Sequence, residues 1–128
     1  MGELIMQFDD KVPIYYQIKT MFYHQIIAGE LAPGAKLPAV RQVAVDLTVN
    51  VNTAQRALSE MVTEGILDAK RGRGNFVTED VAKIAALKHR LIVQDVAALY
   101  TQLHALRLDD AAVVQAVQTY IESKGETS

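Results

Sequence analysis

A chain of 128 residues has room for one domain, or for a small domain with an appendage, which excludes a large multidomain enzyme. Half of its residues are hydrophobic and 22% are charged, the balance of a folded protein rather than a disordered one. A formal net charge of -2 supplies no global field for nucleic acid or anionic lipid, and zero cysteines exclude disulfides, thiolate nucleophiles and cysteine-based zinc sites.

No apolar run exceeds about five residues, far below the roughly 20 that span a bilayer, so the sequence predicts a cytoplasmic protein without a membrane partner. Met1-Gly2 begins like a myristoylation signal, but Met6 stands where that signal has Ser or Thr. All three prolines and all but one of the seven glycines precede residue 75, while residues 80 to 122 contain neither. Two domains are therefore expected, 1–78 and 79–128. The first is charge-balanced and the second acidic.

The first helix is predicted from Pro13, a favoured first helical position, to a stop at Gly29, with Ile14, Ile18, Met21, Phe22 and Ile26 on one face. Residues 31–38 hold two prolines and a Pro-Gly turn, so they read as a loop whose leucines tuck inward. A short second helix follows from about Ala39 to Leu47, facing Val40, Val43, Ala44 and Leu47 to the core. Thr48-Val49-Asn50 interrupts it. Asn50 caps a third helix, Val51 to Glu64, that buries Ala54, Leu58, Met61 and Val62 and ends at Gly65. Residues 66–69 and 75–78 are short strand candidates around the basic, glycine-rich tip Lys70-Arg71-Gly72-Arg73-Gly74.

From Asp80 to about Leu106 a long helical pattern carries Leu87, Leu91, Val96, Leu99 and Leu103. Asp109 or Asp110 caps a last helix with Val113, Val117, Tyr120 and Ile121 on one side, and residues from Lys124 are expected to fray. Two helices of this size cannot bury so many apolar positions between themselves, which points to a second copy of the chain as cover. Leu87, Leu91, Val96, Leu99, Leu103, Val113 and Val117 are the candidate dimerisation residues. By the same reasoning, one copy of the last two helices should not enclose the roughly 300 Å³ of a typical ligand cavity, so any small-molecule effector belongs between domains or subunits.

Two short helices joined by a tight turn, the second opening with Asn and small polar residues and followed by a basic hairpin, have the pattern of a winged helix-turn-helix. The fold class is mainly α with a small β-hairpin wing, followed by a two-helix dimerisation domain. At the start of the third helix Asn52, Thr53, Gln55 and Arg56 are suited to base edges, where amides can pair with adenine. Arg41, Arg71 and Arg73 are suited to phosphate.

The run Val12-Pro13-Ile14-Tyr15-Tyr16-Gln17-Ile18, then residues 27–34, Leu37-Pro38, Arg41, Val51-Asn52-Thr53, Arg56-Ala57-Leu58, Glu64-Gly65 and residues 72–77 together resemble the DNA-binding domain of GntR-family transcription regulators. The remaining fifty or so residues resemble the short two-helix C-terminal domain of the YtrA subfamily. The resemblance implies operator-DNA contacts by Arg41, Asn50, Asn52, Thr53, Gln55, Arg71, Gly72 and Arg73, a homodimer on a two-fold symmetric operator, and repression. Three positions depart from the family pattern. Ala39 stands in place of a capping Ser, Val51 in place of Arg or Pro, and Thr48 in place of a turn Gly; the last is tolerable only if the backbone there avoids positive φ.

Other chemistries find little purchase. His24, His89 and His104 lack ligand spacing, Gly72-Arg73-Gly74 lacks the further glycine or Gly-Lys-Ser/Thr of a nucleotide loop, and Ser59, Ser123 and Ser128 have no triad partners. Neither a cofactor, a metal nor an enzymatic activity is expected. The alternative is a winged helix that binds protein rather than DNA.

Overall fold

The computed structural model describes residues 8–127, and the Met1-Gly2 terminus weighed for lipid attachment lies outside them. In chain order the elements are α1 (Ile14–Ile27), α2 (Val40–Leu47), α3 (Val51–Thr63), β1 (Leu67–Lys70), β2 (Gly74–Val77), α4 (Val81–Ala105) and α5 (Asp110–Thr127). This is the predicted mainly helical class with a small wing. The described chain divides into two compact units between Lys88 and His89, inside α4.

In the first unit, Pro13 sits one residue before α1, and its carbonyl accepts the amides of Tyr16 and Gln17 at 3.1 and 3.3 Å. The Gln17 amide nitrogen donates to the carbonyls of Asp9 and Val12, both at 2.8 Å, and fastens the lead-in to the helix. The buried face of α1 is Ile18, Lys19, Phe22, Tyr23 and Ile26. It is rotated from the predicted stripe, leaving Ile14 exposed and Met21 half-buried, because Lys19 and Tyr23 turn inward to meet acids on α3.

Those acids explain a buried cation. Lys19 Nζ lies 2.9 Å from Glu60 Oε1 and 2.6 Å from Glu64 Oε2, and the Tyr23 hydroxyl donates to Glu64. Burial works against the Lys19 charge, yet hydrogen bonds to Glu64 and Glu60 outweigh it and hold the ammonium above its ordinary range. Burial, reinforced by Glu64, pushes the Tyr23 phenol from 10.0 up to about 12. Both folded-state values lie above the unfolded ones, so their stabilisation is complete below about pH 10; the Tyr23 share is lost as pH climbs to about 12, and the Lys19 share goes on falling above that. Urea midpoints should fall across that window. Lys19→Met should cost about 2 kcal/mol at neutral pH, the range of a charged hydrogen bond, and a neutral-pH midpoint equal to wild type would show that the cluster does not fasten α1 to α3.

α2 starts at Ala39, which offers no side-chain cap, as its departure from Ser implies. It ends at Thr48 with φ 55 and ψ 51, in the left-handed region. The amide of Val49 donates to the Ala44 carbonyl at 3.0 Å, closing a Schellman turn that ordinarily places Gly at this point. The condition for an easy Thr here therefore fails. A β-branched residue holds a glycine conformation, at a cost of about 1–2 kcal/mol.

Asn50 caps α3 by accepting the Asn52 amide at 2.7 Å, and α3 buries Ala54, Ala57, Leu58 and Met61, with Val62 only half-buried. Gly65, at φ 82, turns the chain into the hairpin. β1 and β2 pair antiparallel from Leu67 opposite Val77 to Lys70 opposite Gly74. Residues 34–37 run beside β2: Gly34 and Leu37 donate to the carbonyls of Val77 and Asn75, both at 2.9 Å, and Lys36 bridges to Phe76. Leu37 is buried there, while Leu31 is half-buried.

Asp80 caps α4 by accepting the Ala82 amide at 3.0 Å, and Asp109 caps α5 through the Ala112 amide at 2.9 Å. Helix α5 continues to Thr127, through the residues expected to fray. In the second unit α4 and α5 do not pack closely along their lengths. The Tyr100 hydroxyl donates to Asp110 at 2.9 Å, and a groove of about 650 Å³ lies between the helices. Splayed helices thus leave a concavity larger than the sequence suggested, but one chain leaves it open. None of the described helices is long and apolar enough to cross a membrane.

Candidate nucleic-acid interface

The turn 48–50 aims the first turn of α3 outward, and the cap at Asn50 leaves Asn52 exposed with no side-chain hydrogen bond among the described residues. Gln55, one turn on, is exposed and donates to Ser59 at 2.7 Å. Helical spacing puts Asn52, Gln55 and Ser59 on one side of α3. Thr53 is half-buried at the edge of this row. The side-chain oxygen of Asn50 accepts the capping bond, and its amide N–H groups remain as donors for a ligand.

Arg41 is exposed on α2 and joins no ion pair among the described residues. Arg56 is more tightly held. Its Nε lies 3.1 Å from Glu60 Oε2 and its guanidinium carbon 3.7 Å from the centre of the Tyr15 ring, so α1 and α3 fix its direction. The Lys19 and Arg56 hydrogen bonds to Glu60 hold that carboxyl below its ordinary range, Lys19 being the stronger influence.

At the wing Arg71, Gly72 and Arg73 form the exposed tip, with Gly72 at φ 75 as a side chain would resist. The Arg73 guanidinium lies 5.6 Å and Lys70 Nζ 4.7 Å from the centre of the Phe76 ring. Lys36 joins them, a residue that sequence reasoning passed over. At Gly74, φ 115, an added Cβ would stand 3.1 Å from Lys36 Cε, so a glycine there admits the lysine against the hairpin. Lys36, Lys70, Arg71 and Arg73 make a local basic patch on a charge-balanced unit, the form of electrostatic attraction that the net charge left open. The signal for Lys36 was faint, because its place comes from pairing between the loop and β2, including the bridge to Phe76.

The second unit carries the other group of candidate residues. None of residues 89–125 is buried. Val96, Leu99, Val113 and Val117 line the groove together with Tyr100 and Ile121, which the candidate set lacked. Leu91 and Leu103 are half-buried. Leu87 needs correction: it is 2% exposed in the single chain, so its side chain has no surface to offer a partner.

The model of the family described as "Bacterial regulatory proteins, gntR family" matches residues 14–77, from the first residue of α1 to the last of β2. Among curated proteins, the transcriptional regulator YhcF of Bacillus subtilis is 45% identical over 62 residues, 48% of this chain and 51% of its own length. The transcriptional repressor YtrA of the same organism is 39% identical over 56 residues, 44% of this chain and 43% of its own length. The chain thus spans about half the length of these relatives. Among solved structures, a GntR family transcriptional regulator from Listeria monocytogenes is 32% identical with a TM-score of 0.80, covering 88% of this chain and 98% of its own. The AraR domain solved in complex with operator ORX1 is 25% identical with a TM-score of 0.52, over 61% of this chain and 96% of its own. The match falls on the helix-turn-helix and its hairpin, and the chain belongs to the gntR family of helix-turn-helix transcription regulators, with YtrA among its relatives.

Proposed function

We propose that this chain is a cytoplasmic transcription repressor that binds a two-fold symmetric operator as a homodimer. One observation carries the reading: the exposed amide row of α3 and the basic wing of Lys36, Lys70, Arg71 and Arg73 belong to one folded unit. Amides that can pair with base edges and cations that can hold phosphate are the two halves of sequence-specific duplex binding. Asn52, Thr53 and Gln55 read bases, while Arg41 and the wing position the duplex. Arg56 lends charge from a fixed direction, and Gly72 lets the tip backbone approach. The operator-bound AraR domain supports duplex DNA as ligand, and the name of YtrA supports repression.

Homodimer formation rests on the second unit, where the apolar groove between α4 and α5 stands open. Exposed apolar surface of this kind marks an interface. A second copy supplies the missing wall, and a small-molecule effector would be enclosed only with that copy in place.

Footprinting on the protein's own promoter region tests the reading. Two equivalent protected half-sites, one helical turn of about 10 base pairs or a multiple apart, are expected, with transcription from that promoter falling as protein is added. Protection without two-fold symmetry would remove the homodimer. Equal retention on any duplex would remove the specific operator, and retention on none would leave a protein-binding winged helix instead.

A further inference from the structure

The reading surface has an apolar component that amides and arginines do not explain. Val51, the first residue of α3, is 40% exposed, directly beside the unbonded Asn52. It lines a shallow concavity of about 500 Å³ with Arg41, Ala44, Val45, Thr48 and Val49. Val45 is 71% exposed at the same place. Valine methyls left uncovered at the tip of a recognition helix neither cap that helix nor pair with phosphate. Neighbouring charge narrows what can fill the space. Arg41 on the concavity's wall attracts phosphate, so the occupant carries a phosphate backbone as well as an apolar projection.

In the major groove of a duplex, one base presents such a projection, the C5 methyl of thymine. We infer that Val51 is a specificity-determining residue that packs against a thymine methyl in each operator half-site, next to the base pair contacted by Asn52. The inference rests on the proposed reading of DNA by α3 and deepens it. A contact of this kind distinguishes thymine from uracil and from cytosine without a hydrogen bond.

The full chain is used to select a duplex from a random library, and each thymine of the selected duplex is then replaced in turn by deoxyuridine. That exchange removes one methyl and keeps every base-pair hydrogen bond. One thymine per half-site should respond, with affinity falling about fourfold per methyl lost and about 15-fold when both half-sites are changed, from about 0.8 kcal/mol per buried methyl group. Val51→Ala, a change at an exposed position to a stronger helix former, should bind the thymine and deoxyuridine duplexes within about a factor of two of each other. The variant comparison separates the methyl contact from any change in duplex shape, because shape is shared by both proteins.

If selection enriches a sequence but no thymine responds, or Val51→Ala keeps the wild-type ratio, the methyl contact is overturned while operator binding stands. If selection enriches nothing, sequence reading by α3 fails and the methyl contact fails with it.

Discussion

Replacing Val96 and Val117 together by Gln should convert the protein to a monomer at micromolar concentration and weaken binding to a two-fold operator by a factor on the order of 10² to 10⁴. Both side chains are exposed in the single chain, at 59% and 37%, and both line the α4–α5 groove, so the change should leave each chain folded. In a dimer closed over this groove the pair is lost twice, and each valine fully removed from water contributes about 1.5–3 kcal/mol. Losing the partner also ends the linkage of two half-site contacts, which is where the affinity factor arises. Gln is neutral, so phosphate attraction is unchanged and binding to an isolated half-site serves as the control. Sedimentation gives the decisive reading: a variant still dimeric at the wild-type concentration places the interface elsewhere.

The second large effect separates holding DNA from reading it. Arg41→Ala and Arg73→Ala each remove an exposed cation, and affinity for selected and random duplexes should fall alike, with the slope of log affinity against log salt flattened by about 0.9 per phosphate contact. Asn52→Ala and Gln55→Ala should keep that slope and lose about 1–3 kcal/mol on the selected duplex alone, roughly 5- to 150-fold. Gln55 gives up an exposed bond to Ser59 when it turns to a base, so Asn52, with no bond to break, should show the larger loss. If both amide variants keep the selected-to-random ratio, reading belongs to the wing or to duplex shape instead.

Much of the first unit was legible because its signals are local. Asn50 caps and Gly65 stops a helix through contacts within a few residues, and the hairpin tip announces itself by Gly72 among basic residues. What escaped depends on distant parts of the chain. The pairing of Lys19 left no mark in the local pattern because its acids lie 41 and 45 residues away, and with Tyr23 it turns the face of α1. Lys36 joined the wing through a bridge that crosses from loop to strand. Leu87 repeats in phase with Leu91 and therefore looked like part of the same seam. Periodicity shows that a face is apolar, but not whether the chain itself or a second copy covers it.

Thr48 has a consequence for how this protein can change. Its left-handed turn lies beside Val49 and Val51 in the concavity at the start of α3, so on the proposed reading of DNA by α3 the strain sits where new specificities would be selected. Substitutions that re-aim a reading helix commonly destabilise their host, and a protein near its stability threshold rejects many of them. Relaxing residue 48 to glycine removes about 1 kcal/mol of strain without touching an amide or a wing cation. That one position could therefore widen the set of operator preferences this scaffold can evolve.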